Sequence, residues 1–137
     1  MTTHDDTDVV IRLEPWVASG SVRIRITDGY RQQLQSLLTE AHLDNTQALE
    51  HSAASAAMEL ISVTVSTPEF WEALGAAVVA FLKRHENKQV RVEISDRPLD
   101  LTGYSQADVE RLMRVAAELH EQAAERRKRL IEQPPQE

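Results

Sequence analysis

Five histidines are the side chains best suited to metal or proton chemistry: His4, His42, His51, His85 and His120. No two stand three or four positions apart, and HExxH does not occur. The spacing that sets two imidazoles around zinc on one helix face is therefore missing. His51 precedes Ser55 by one helical turn, but no GxSxG nucleophile elbow accompanies the pair. The four glycines, Gly20, Gly29, Gly75 and Gly103, are scattered, so no GxGxxG or GxxxxGK[ST] phosphate cradle can be built. With no cysteine there is no thiol nucleophile, thiolate zinc site or disulfide.

Carboxylates offer more. Glu69 with Glu72 and Glu118 with Glu121 fall on polar helix faces, where solvated charge is the default reading. Glu93, Asp96 and Asp100 surround a hairpin and form the one set that could gather a weak cation or frame a small catalytic or ligand site. A calcium loop needs denser spacing and a glycine. The basic cluster Arg126-Arg127-Lys128-Arg129 reads first as the last turns of a helix, where cations complement the helix dipole. It has no interleaved aromatic residues of the kind that stack on bases.

These groups must be placed by a chain of 137 residues, a length that fits one domain and buries enough surface to fold without metal or disulfide. The formal net charge of −7 argues against general nucleic-acid binding, which needs clustered cations against phosphate. The start, MTTHDDTDVV, lacks the basic and apolar regions of a signal peptide. The most apolar stretch, Ala73–Leu82, is too short to cross a bilayer and ends in Lys83-Arg84. A cytoplasmic protein with no membrane association is the expectation. A single domain is expected over 9–132, between disordered tails at 1–8 and 133–137.

Alternation of apolar and polar residues predicts a hairpin from Val9, Ile11 and Leu13 to Val22, Ile24 and Ile26, joined by Pro15–Gly20, with Trp16 over the core's end. Tyr30, Leu34, Leu37, Leu38 and Ala41 share a helical stripe, with Asp28 as its N-cap. Asp44 and Gln47 have capping-box spacing and predict a second helix through the small-residue run QALEHSAASAAMEL. Ile61, Val63 and Val65 predict a strand. Thr67-Pro68 predicts a capped helix start, with Phe70, Leu74, Ala77, Val78 and Phe81 buried and Trp71, Val79 and Leu82 widening the apolar surface. Val90, Val92 and Ile94, a turn at Asp96–Pro98, and Leu99 and Leu101 predict a second hairpin. After Gly103, Ser105 and Asp108 have capping-box spacing and Tyr104 and Val109 can form a hydrophobic staple. The long helix that follows carries Val109, Leu112, Ala116, Leu119 and Ala123 at steps of three and four, a seam of about two heptads.

The predicted fold is α+β: a mostly antiparallel sheet of four or five strands, helices on one face and a long C-terminal helix. Two surfaces could meet a partner: the helix bearing Phe70 and Trp71, and the seam Val109, Leu112, Ala116, Leu119 and Ala123. The rival reading is that both stripes fill the domain's own core.

The order EFWEALGAAVVAFLKRHENKQVRVEISDRPLDLTGYSQADVERLMRVAAEL resembles a family of small actinobacterial proteins, effector-associated constant component 1. The resemblance rests on the apolar helix Phe70–Arg84, the V-x-V-x-I strand Val90–Ile94, the L-x-L-x-G segment Leu99–Gly103 and the helix start Ser105–Met113, with the Ala-rich lead-in Gln47–Leu60. It implies an accessory or adaptor component encoded beside NTPases and effector domains in bacterial conflict and signalling systems, with no catalytic residues and no cofactor. The resulting expectation is a non-enzymatic adaptor that docks a protein partner or itself, a homodimer being favoured. The alternative is a small enzyme or ligand-binding domain around Glu93, Asp96 and Asp100.

Overall fold

The structure is a computed structural model that describes residues 9–18, 20–48, 58–86, 89–96, 99–103 and 105–132. The expected tails, the His51–Ser55 pair, Tyr104 and its staple, and the side chain of Trp16 lie outside the described residues.

Six strands form one sheet in the order β3-β4-β2-β1-β5-β6. They are β1 (Val9–Ala18), β2 (Ser21–Thr27), β3 (Asn45–Ala48), β4 (Met58–Thr64), β5 (Val90–Asp96) and β6 (Leu99–Gly103), with helices α1 (Arg31–Glu40), α2 (Phe70–Arg84) and α3 (Gln106–Glu132). Neighbouring strands are antiparallel except β1 and β5, which run parallel. The α+β expectation therefore holds, long C-terminal helix included.

Period-two patterning fixes the layering. The register sets Ile11 beside Ile26 and Val92, and Leu13 beside Ile24 and Ile94. Ile24 meets Ile61 and Val22 meets Val63. All of these side chains are buried in one core with Leu34, Leu37 and Leu38 of α1, Phe70, Leu74, Val78 and Phe81 of α2, and Val109, Leu112, Met113 and Ala116 of α3. A one-residue slip would turn every inward side chain of a strand to the other face. The helix α2 packs between α1 and α3, and α3 also lies against β1.

Four local expectations are corrected. Asn45–Ala48 forms strand β3 where a helix was predicted, and 49–57 lie outside the described residues. The cause is long-range pairing: β3 lines up on β4, and the Thr64 N–H donates to the Asp44 carbonyl at 2.9 Å. The side chain of Asn45 is also held at the end of α1, its Nδ2 donating to the Leu43 carbonyl at 2.9 Å and its Oδ1 accepting from Gln35. Tertiary partners outweigh the weak local preference for helix. Second, β1 continues through Pro15 to Ala18, its register with β2 shifting between Glu14 and Ala18. Proline has no N–H for the ladder, and such irregularities are where a strand accommodates it.

Third, Asp28 does not cap α1. It sits in the turn in which the Tyr30 N–H donates to the Thr27 carbonyl, and Tyr30 occupies the cap position without a side-chain bond. Gly29 supplies the positive φ of 95° that this turn needs. Fourth, α2 begins at Phe70 rather than beside Thr67, and Glu69 holds the cap position. At α3 the cap forms as expected: the Asp108 N–H donates to Ser105 Oγ at 3.2 Å. The Asp108 carboxylate pairs with Arg111 at 2.6 Å.

Candidate docking groove between α2 and α3

The interface residues proposed from the sequence separate into two groups. Phe70, Val109, Leu112, Ala116 and Ala123 are buried within the protomer. Their stripe faces the chain's own sheet and helices, so it is not a surface a partner can reach. The sheet supplies enough apolar surface to cover it, which the sequence left open. Trp71 and Leu119 are half-buried at the edge of the core. The Trp71 ring is held edge-on by Phe70 at 4.9 Å and by His120 at 5.7 Å between centroids. His120 itself is buried, with Nδ1 at 2.8 Å from the Pro15 carbonyl, so the interruption in β1 anchors α3 and, through the imidazole, Trp71.

Trp71 lies on a groove of about 950 Å³ between α2 and α3. Its floor is small and apolar: Gly75, Ala76, Val79, Ala80, Met113 and Ala117. Gly75 is the reason the helices come so close. A Cβ built there would stand 3.2 Å from the Met113 Cγ. Charged side chains of both signs rim the groove. Glu69 and Glu72 stand with Trp71 towards the start of α2, Lys83, Gln106 and Glu110 stand at the opposite end, and Arg114 lines the α3 wall between them. A second hollow of about 380 Å³ shares Val79, Lys83 and Gln106 and carries the groove on to His85, Gln89 and Val90. The combined groove follows α2 for roughly 20 Å at 1.5 Å per residue, the length of a helix of about four turns. Sequence reasoning missed Gly75, Ala76, Ala80 and Ala117. Their signal was a row of small residues beside the buried stripe of α2, matched by Met113 and Ala117 on α3.

The other sheet face carries the polar groups. Arg12 Nε meets Glu93 Oε2 at 2.7 Å, and Arg91 Nε lies 3.5 Å from Glu93 Oε1. Arg25 Nε meets Glu14 Oε2 at 2.7 Å. Glu93 is only 9% exposed. Both its oxygens face guanidinium groups, so the Glu93 carboxylate already has cationic partners. Asp100 stands opposite Ser95 and Asp96 opposite Leu99 in the ladder, and their side chains lie outside the described residues. Among the described residues no group of His, Asp and Glu is arranged to hold a metal ion, and no helix is long and apolar enough to cross a membrane.

The other described histidines do not converge on the groove's floor. His85 stacks on Phe81 at 4.2 Å and links α2 to Gln33 of α1. His42 ends α1 with a positive φ of 64°. The basic cluster Arg126–Arg129 lies on α3 beyond its last buried residue, Ala123.

The family model described as effector associated constant component 1 matches residues 32–120, well over half of the 137 residues. No curated protein and no solved structure matches the chain. The matched segment holds α2, β5, β6, the start of α3 and both walls of the groove. It omits β1 and β2, the central pair that joins β4 to β5 in the sheet. On the match across α1 to His120, the chain belongs to the effector associated constant component 1 family.

Proposed function

We propose that the protein is a non-enzymatic adaptor that docks a helical segment of a protein partner in the groove between α2 and α3. The observation that carries this reading is the groove itself: a floor of mostly small apolar side chains, Trp71 as a rigid aromatic anchor, and charged residues along its rim. Helix-in-groove recognition uses such a trough, with apolar residues every three or four positions of the partner seated on its floor. A half-buried tryptophan already fixed by two neighbours loses little freedom on binding, which is why such residues dominate binding energy. The family's effector association supports a protein partner drawn from an NTPase-centred conflict or signalling system. The cysteine-free chain fits action in the reducing cytoplasm.

The test is a photo-crosslinking amino acid placed at Ala80 in the expressing cell, with Ser36 of α1 as the control position. Ala80 is expected to yield a discrete adduct, identified by mass spectrometry as a component of the effector system, and Ser36 none. Equal adducts from both positions, or none from Ala80, would contradict the reading.

A further inference from the structure

The helix α3 outruns the sheet. Its last buried residue is Ala123, yet the helix continues to Glu132. This end carries Arg126, Arg127, Lys128 and Arg129 and then two exposed large apolar residues, Leu130 at 75% and Ile131 at 83%. Both continue stripes that are used further back. Leu130 stands seven residues after Ala123, about two turns, and extends the core-facing stripe. Ile131 stands about five turns beyond Met113 at nearly the same azimuth, and so extends the stripe that lines the groove. The family match stops at His120, so this end is a feature of this chain outside the matched segment.

The tip cannot enter its own groove. Met113 and Ile131 sit on one rigid helix, roughly 27 Å apart at 1.5 Å per residue. A second copy can supply the groove. When α3 of one copy runs antiparallel to α3 of another and Ile131 seats over the second copy's Met113, Lys128 lies about one turn back. It then falls level with Ala116, beside Ala117 and towards the end of the groove where Glu69 and Glu72 stand, with Arg114 on the side nearer Met113. The charges match in the large as well. The chain totals −7, so without the four basic residues of the tip it carries −11. A basic tip and an acidic body favour their mutual approach.

We propose that two copies form a closed two-fold dimer in which the α3 tip of each, residues 126–131, lies in the α2–α3 groove of the other. An antiparallel exchange makes both contacts equivalent and leaves no open end for filament growth. An anionic membrane is a poorer occupant. Two apolar residues beside Glu125 do not make the broad apolar face of an interfacial helix. The inference rests on the groove being a docking surface, and it implies that an effector-side partner must displace the tip.

Sedimentation equilibrium of the full chain over a range of concentrations tests it. The native protein is expected at twice the chain mass. Leu130→Glu/Ile131→Glu, both at exposed positions, is expected at the monomer mass with unchanged circular dichroism. Lys128→Glu and Glu72→Arg are each expected to weaken the dimer at least tenfold at low salt, and the two together in one chain to restore it. A native chain that stays monomeric, a tip variant that dimerises like the native protein, or a charge swap without rescue would overturn the proposal. So would capture of the native chain by phosphatidylserine vesicles that is lost in the tip variant while the dimer persists. A monomeric chain that still gives the Ala80 adduct in the cell would sink the exchange alone and leave the groove's docking role standing.

Discussion

Glu93 shows how a residue suited to chemistry becomes structural. Its carboxylate lies between Arg12, which donates to it, and Arg91 on the polar face of the sheet, and removing the charge takes the counter-ion from both guanidinium groups. Glu93→Gln is expected to cost about 1–3 kcal/mol in urea unfolding, as for hydrogen bonds to charged groups. Arg111→Ala breaks a pair at an equally short 2.6 Å, but Arg111 is exposed. Its expected cost is under about 0.5 kcal/mol, because solvent screens the pair. His42 makes the opposite case. It takes the left-handed position after α1: its N–H donates to the Thr39 carbonyl, and the next N–H, of Leu43, donates to the Leu38 carbonyl. This double closure prefers glycine at that position. His42→Gly is expected to raise stability by roughly 1 kcal/mol, read from the same unfolding curves. Neither role was legible in the sequence, because both depend on partners or dihedral angles that spacing does not encode.

At the scale of elements, what was legible follows period. Strands β1, β2, β4 and β5 and helices α2 and α3 were all readable, because each repeats its apolar residues on one face over two or more turns or pleats. The Ser105 cap was readable as a local bond, and Ser105→Ala is expected to cost about 1 kcal/mol. Strand β3 was not readable. Four residues with no inward apolar pair carry no period, and only β4 makes them a strand. The groove was half legible. Trp71 stood out by type, whereas Gly75 gained meaning only once α3 was seen to lie against it. Gly75→Leu is expected to force α3 outward against Met113, lowering stability by about 1–3 kcal/mol and loosening the groove, as a thermal melt and Trp71 fluorescence in a Trp16→Phe background would report.

Across the molecule, the apolar residues described fall mainly into three places: a core shared by the sheet and three helices, the trough between α2 and α3, and the tip of α3. The seam read from the sequence belongs to the first, and the trough lies one helix face further round. The small alanines of that face looked like filler in the sequence. Their value depends on what they leave empty. Filling that space is therefore the sharpest probe. Ala76 is exposed on the groove floor, so Ala76→Trp blocks the trough without touching the core. The decisive measurement is the yield of the Ala80 photo-adduct in this variant. A groove that receives a partner helix requires the adduct to disappear while the melting temperature stays at the native value; an adduct undiminished by the blocked floor would place the partner elsewhere.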